Sequence, residues 1–141
     1  MNQADILLPM GGLVALTFIV LLMIPYARFT AGARKQVAMD DFKYGESERV
    51  PAKVRIPNRN MMNLLELPLL FYVACLTLYV TKTANESFVW LAWLYVALRA
   101  GHSLVHLSYN KVSHRLSVYA ASNVVLGILW LRLVQALLKA A

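Results

Sequence analysis

Four long apolar runs constrain the fold of this chain more than any other feature. The first covers residues 6–26 without a charged side chain, and the others cover 60–81, 87–107 and 116–138. As a helix rising about 1.5 Å per residue, each can cross the roughly 30 Å hydrocarbon layer of a bilayer. Isolated strands leave backbone groups unpaired in lipid, and these runs are too long for barrel strands. The pattern predicts an all-α integral membrane protein, a left-handed, up-down bundle of four transmembrane helices.

Composition agrees with lipid as the solvent. Of the 141 residues, 60% are hydrophobic and 15% are charged, whereas soluble domains carry about 25% charged residues. We therefore expect one membrane domain over residues 1–141. The net charge of +7 is confined to a few segments, so no nucleic-acid partner is expected. The single cysteine, Cys75, lies in an apolar run and is expected to pack as a small apolar side chain.

A secretory signal peptide is the competing interpretation of the first run. Such a peptide has basic residues before its apolar core, whereas only Asp5 precedes this one, and three more spans follow. The run is therefore predicted to be a retained helix. Pro9 suits its first turn, and Pro25 is expected near its end.

Lysine and arginine are concentrated on one side of the predicted bundle. They occupy the loop at residues 27–58 and its end, and the loop between the third and fourth spans: Arg28, Arg34, Lys35, Lys43, Arg49, Lys53, Arg55, Arg59, Lys111 and Arg115. The other side offers Lys82 and Lys139. Because such an excess marks the cytoplasmic face, the long loop is predicted to be cytoplasmic and both termini external. The loop itself is predicted to be irregular, with one short amphipathic turn on the headgroups.

Charged and polar side chains enter the second span on one face. Arg59, Asn63 and Glu66 are spaced i, i+4 and i+7, which places them on the same side of a helix. An intramembrane charge costs about 2.5–3.5 kcal/mol on insertion scales, so it is a functional-site hypothesis by default.

The third span carries a matching stripe at the same depth. Arg99, His102 or Ser103, and His106 have the same helical spacing. The two stripes can line a pocket, or Glu66 and Arg99 can neutralise each other as an interhelical pair. The two histidines have the i, i+4 spacing of metal ligands, but no third ligand is evident, so no metal site is expected.

Two motifs resemble those of a known family. Residues 59–72 read RNMMNLLELPLLFY, and residues 99–106 read RAGHSLVH, followed by Arg115 at the start of the fourth run. The whole chain resembles the MAPEG proteins, the membrane-associated proteins in eicosanoid and glutathione metabolism. The resemblance is greatest to bacterial members that share the first motif.

The resemblance implies a homotrimer in the bacterial inner membrane, with glutathione as co-substrate between subunits at the cytoplasmic side. It implies that lipid surrounds the trimer and that a lipophilic small molecule is the second substrate. The residues it implies for glutathione binding are Arg59, Asn63, Glu66, Arg99, His102 and His106. It implies that Arg115 activates the thiolate.

One residue departs from the pattern of the glutathione-using members. They commonly have a tyrosine where this chain has His106. A tyrosine hydroxyl does not titrate near neutrality, whereas a histidine does, so an activity that used His106 would depend on pH at about 6–7.

Two classes of function remain open from the sequence. The first is an enzyme that conjugates glutathione to lipophilic electrophiles or reduces hydroperoxides. The second is a non-catalytic membrane protein in which the polar stripes form a structural network. A transporter is a third reading, but the outer half of the bundle offers no continuous polar path.

Overall fold

The computed structural model of the protein describes residues 2–140, most of them in five α-helices. The helices are α1 (Leu7–Ala33), α2 (Ala52–Leu65), α3 (Pro68–Val80), α4 (Glu86–Leu107) and α5 (Val112–Ala140). Short 3-10 turns occur at Gln3–Ile6 and Met39–Phe42. With α2 and α3 taken together, four helical segments are long and apolar enough to cross a membrane. The prediction of an all-α chain with four membrane-length helices is confirmed.

Three helices extend beyond their predicted bounds at the end where the long loop lies. α1 continues through Pro25 to Ala33 instead of ending at 26, and α2 begins at Ala52 instead of 60. α5 begins at Val112 instead of 116. The loop predicted over 27–58 is therefore confined to 34–51. Hydropathy locates the part of a helix that lies in lipid. It does not detect the helical turns that project beyond the lipid.

The second span is interrupted at Glu66 and Leu67, where one helix over 60–81 was predicted. In a continuous helix, Pro68 would have no N–H to donate to the Leu64 carbonyl, and its ring would clash with that carbonyl. The backbone departs from helical geometry at Glu66, with φ −81° and ψ −105°, whereas Leu67 keeps helical angles. The Glu66 amide donates to the Met62 carbonyl at 3.1 Å, and Pro68 then begins α3. The break leaves the last carbonyls of α2 without their usual helical donors.

The segment between α1 and α2 packs against the ends of both helices, and its backbone is irregular apart from the 3-10 turn at Met39–Phe42. Val50 and Val54 form a small apolar cluster with Ala31 of α1. Arg28 forms an ion pair with Glu46 at 3.2 Å, the one ion pair among residues 2–140. Each contact links the segment to a helix, and sequence periodicity carries no signal for such contacts.

The opposite end of the bundle is joined by a reciprocal hydrogen bond. Gln3 donates to the Ala84 carbonyl at 3.0 Å and accepts from the Ala84 amide at 3.1 Å. The chain's first turn is thereby fixed to the turn between α3 and α4. Asn85 caps the start of α4 by accepting from the Phe88 amide at 3.3 Å.

The apolar core occupies the middle of the bundle, and much of the apolar surface points outward. Leu13, Phe71, Tyr95, Leu129 and Leu133 are fully buried in the core. In each span, only 22–39% of the most apolar stretch of 18 residues is buried within the chain. The outward faces carry many large exposed apolar side chains, as lipid or neighbouring copies require.

Candidate functional site

A cavity of about 500 Å³ lies between α2, α4 and α5, close to the turn that joins α4 to α5. Its lining consists of Arg59, Met62, Asn63, Glu66, His102, His106, Val112, Arg115, Leu116 and Tyr119. The structure therefore brings together six of the seven residues that the sequence singled out. The remaining one, Arg99, lies behind the wall.

The α2 side of the cavity presents one guanidinium, one amide and one carboxylate. Asn63 donates its side-chain N–H to the Arg59 carbonyl at 2.9 Å, which orients the amide along the helix. Glu66 is exposed and stands at the end of α2. The carbonyl end of a helix is its negative end, so it provides no compensation for the carboxylate. This corner of the cavity is therefore suited to a cation.

Arg99 is fully buried and contacts the open end of α2 instead of the cavity. Its Nη2 donates to the Asn63 carbonyl at 2.5 Å, and its guanidinium lies 5.6 Å from the centre of the Tyr119 ring. The Nε and Nη1 atoms are buried without a hydrogen-bond partner among the described residues. The Asn63 carbonyl is free to accept because the helix is broken at Pro68. Glu66 and Arg99 form no ion pair within residues 2–140, so the simplest structural alternative, mutual neutralisation, is not realised.

Two buried histidines form the α4 wall. His102 and His106 are 2% and 3% exposed, and their ring centres are 5.7 Å apart. The His102 ring also lies 5.6 Å from that of Tyr119. The Nδ1 atoms of both histidines are buried and have no hydrogen-bond partner among residues 2–140. Both are polar side chains at the cavity wall, and a bound ligand can supply the hydrogen bond that each Nδ1 atom lacks.

Arg115 enters the cavity from the first turns of α5. Its Nη1 donates to the side-chain oxygen of Asn110 at 2.7 Å, which holds the guanidinium in one direction. Asn110 has a φ of 48° and ends the α4 helix, donating its amide to the Val105 carbonyl at 2.8 Å. Asparagine tolerates this left-handed conformation well. One residue thus both closes α4 and positions Arg115.

Two residues that shape the site were not predicted from the sequence. Tyr119 lines the cavity between Arg99 and His102, and Asn110 holds Arg115. Tyr119 stands one helical turn after Arg115, on the same face of α5, and that spacing could have revealed it. Asn110 gave no signal, because its role depends on the path of a turn.

Beneath the cavity, a buried hydrogen bond joins α2 to α4. The hydroxyl of Ser103 donates to the side-chain oxygen of Asn60 at 3.3 Å, and both residues are essentially inaccessible to solvent. The bond places the two polar stripes side by side, which fixes the depth at which they face each other.

The charges of the cavity are unequal. Two guanidiniums, on Arg59 and Arg115, face one carboxylate, on Glu66. The lining thus attracts anionic groups at one end and a cationic group at the other. Exposed Met62 and Leu116 add an apolar border, at 55% and 62% exposure. The arrangement can hold a small zwitterionic molecule beside an apolar one.

The fold and the cavity define a multi-pass α-helical membrane protein with a polar pocket near one end of its bundle. The sequence profile of the MAPEG family matches residues 6–135, nearly the whole chain. The chain belongs to the MAPEG family. No curated protein and no solved structure matches the chain.

Proposed function

We propose that this protein binds glutathione in the cavity and uses its thiolate on lipophilic electrophiles or hydroperoxides. Membership of the MAPEG family supports a membrane protein of that family. The activity itself is inferred from the chemistry of the cavity.

The observation that carries the proposal is the match between the charges of the cavity and those of the tripeptide. Glutathione has two carboxylates, one ammonium and one thiol. The guanidiniums of Arg59 and Arg115 suit anionic groups, and the otherwise unpaired Glu66 suits the ammonium. The cavity of about 500 Å³ is large enough for a ligand of this class.

Arg115 is the residue assigned to thiol activation. A neighbouring guanidinium favours the thiolate over the thiol, and the thiolate is the nucleophile. The thiol proton leaves to water, the sulfur attacks the electrophilic carbon, and the bond to the leaving group breaks with its electron pair. With a hydroperoxide, the sulfur attacks the distal oxygen, the O–O bond breaks, and the alkoxide takes a proton from water and leaves as the alcohol. The resulting glutathione sulfenic acid reacts with a second glutathione thiol, which forms the disulfide and releases water. Tyr119 lines the same cavity and offers a hydroxyl donor, which His106 does not.

The apolar border indicates where the second substrate and the neighbouring subunits belong. Met62 and Leu116 are exposed at the edge of the cavity in the single chain. In a homotrimer, a neighbouring copy would cover part of this border and leave a cleft toward lipid for an apolar substrate. We expect the long loop on the cytoplasmic side, because the basic residues are concentrated in it.

One observation favours the alternative, a non-catalytic membrane protein of the same fold. Arg99 is fully buried, bonded to the Asn63 carbonyl and set against Tyr119, which is a structural use of an intramembrane charge. If the whole stripe were structural, apolar replacements at its other positions would be tolerated without loss of any ligand.

Calorimetric titration of the detergent-solubilised protein with glutathione tests the proposal. We expect saturable binding that weakens about tenfold in Arg59→Gln, since a hydrogen bond to a charged group contributes about 1.5–3 kcal/mol. Arg49→Gln is the matched control, because Arg49 is an exposed arginine of the 34–51 segment outside the cavity. Absence of binding to the wild type would favour the non-catalytic alternative.

A further inference from the structure

A second, smaller cavity adjoins the first on the side of the 34–51 segment. Arg55, Arg59 and Arg115 form its walls, with His106 and Asn110 beside them, and its volume is about 100 Å³. At about 30 Å³ per water molecule, this is room for about three waters. The space suits one tetrahedral oxyanion and is too small for a tripeptide.

The charges around this cavity are all positive. Three guanidiniums face it, and no carboxylate is among its lining residues. The Nε atom of Arg55 is buried and has no hydrogen-bond partner in the described part of the chain. Like charges repel when they are gathered at the edge of a low-dielectric region, so an anion between the three arginines would stabilise the cluster.

Two helix beginnings add to the positive field. Ala52, the first residue of α2, lines the cavity, and no side chain caps this helix or places a carboxylate in its first turn. Arg115 lies near the start of α5, whose first turn also lacks an acidic residue. Helix N-termini attract anions through their free N–H groups and their dipoles.

His106 gives an independent indication of a missing ligand. It is 3% exposed, it lines both cavities, and its buried Nδ1 has no hydrogen-bond partner within residues 2–140. A buried polar atom of this kind is normally hydrogen-bonded.

We propose that the small cavity binds a phosphate group, held by the guanidiniums of Arg55, Arg59 and Arg115. Guanidiniums bind such an oxyanion through paired, charge-assisted hydrogen bonds. The group can belong to inorganic phosphate or to the headgroup of an anionic phospholipid. Arg59 and Arg115 border both cavities, so the anion also fixes the two arginines that face the larger one. The site does not depend on glutathione being the ligand of that larger cavity.

The test uses the full-length protein and two sources of phosphate. In detergent, thermal unfolding is followed with inorganic phosphate against chloride at equal ionic strength. In vesicles, it is followed with phosphatidic acid mixed into phosphatidylcholine against phosphatidylcholine alone. Each arm compares wild type with Arg55→Gln and with the control Lys53→Gln. Lys53 is an exposed cation two positions away that does not line the small cavity.

Phosphate or phosphatidic acid is expected to stabilise the wild type and Lys53→Gln, and the effective affinity should fall about tenfold in Arg55→Gln. An effect of phosphate alone identifies the soluble anion, and an effect of phosphatidic acid alone identifies the lipid. No effect from either source, or an equal effect in both variants, overturns the proposal. If Arg55→Gln does not fold, phosphate must protect Arg55 of the wild type from phenylglyoxal, and lack of protection has the same meaning. Glutathione titration of the same samples separates failure of this site from failure of the larger one.

Discussion

The position of Arg115 depends on a single residue outside the helices. Helical spacing alone predicted the side chains on α2 and α4 that meet at the cavity, because residues on one helix share a face at known intervals. It could not predict that Asn110 would hold Arg115 at 2.7 Å. That contact arises from the conformation of a turn, with Asn110 at a φ of 48°, and a turn has no periodicity to read.

Removing the side chain of Asn110 tests whether the orientation of Arg115 matters. Asn110→Gly keeps the left-handed backbone at no steric cost but removes the acceptor for Arg115. We expect the ultraviolet absorbance of the thiolate, measured per bound glutathione, to be about tenfold lower than in the wild type. Arg115→Leu should abolish the signal, and Lys111→Leu, which removes an exposed cation of the same turn, should preserve it. Equal signals in all these proteins would remove Arg115 from the mechanism.

At the scale of elements, the break between α2 and α3 explains how the bundle contains a buried arginine. The sequence pattern located the second span but predicted one continuous helix, although α1 shows that a proline need not end a helix, since Pro25 lies within it. Pro68 differs from Pro25 because a tertiary contact accompanies the break. Arg99 donates to the Asn63 carbonyl at the open end of α2. A cation at a helix C-terminus is favourable, which stabilises the broken geometry.

Healing the break should therefore destabilise the protein. In Pro68→Ala, the amide of residue 67 can bond to the Asn63 carbonyl, so Arg99 loses its acceptor while it remains buried. We expect a loss of about 1.5–3 kcal/mol, partly offset by the gain in helix, measured by reversible unfolding in detergent. Pro25→Ala is the control, since it removes a proline from within the continuous helix α1. A Pro68→Ala variant as stable as the Pro25→Ala variant would contradict this account.

The stability of the turn that contains Asp41, in the segment between α1 and α2, is expected to depend on pH. The Ala38 amide, at 2.9 Å, and the Ser47 hydroxyl, at 2.8 Å, both donate to Asp41 and lower the pKa of its carboxyl below the usual 3.8. A lowered pKa in the folded state contributes stability above the unfolded pKa, and the contribution is lost as pH falls through the folded pKa.

Protease cleavage of the segment should therefore accelerate only below the usual carboxyl pKa of 3.8. An acid-active protease measures this from pH 5 downward, with loop cleavage scored by mass. Asp41→Asn should be cleaved faster at all these pH values and show no such transition. Asp40→Asn, at an exposed neighbour in the same turn, should behave as wild type. An identical pH profile in Asp41→Asn would exclude this role.

At the scale of the whole molecule, charge asymmetry sets the orientation expected in the membrane. The chain offers a clean test because its one cysteine, Cys75, is buried. A cysteine at the fully exposed Tyr44 should be labelled by an impermeant maleimide only from the cytoplasmic side, and one at Glu86 only from the outside. Wild type should give no label. Labelling of Tyr44→Cys from outside intact cells would show that the orientation is opposite to the expected one.

The assembled molecule also explains why the sequence could not settle function. Composition and periodicity fix which side chains enter the membrane, whereas function depends on what the cavity between helices binds. The juxtaposition of Glu66 with two guanidiniums is a property of α2 and α5 together, and Glu66 has no ion-pair partner among residues 2–140. The family supplies the expectation of glutathione, and the charges supply a way to test it.

The measurement that decides the central claim is a calorimetric comparison of glutathione with an analogue that lacks only its amino group. If Glu66 holds the ammonium, wild type should bind glutathione about tenfold more tightly than the analogue, a difference of about 1.4 kcal/mol. Glu66→Gln should bind both with the same, weaker affinity. Equal affinity of the wild type for the two ligands, or no binding of either, would contradict the assignment of this cavity to glutathione.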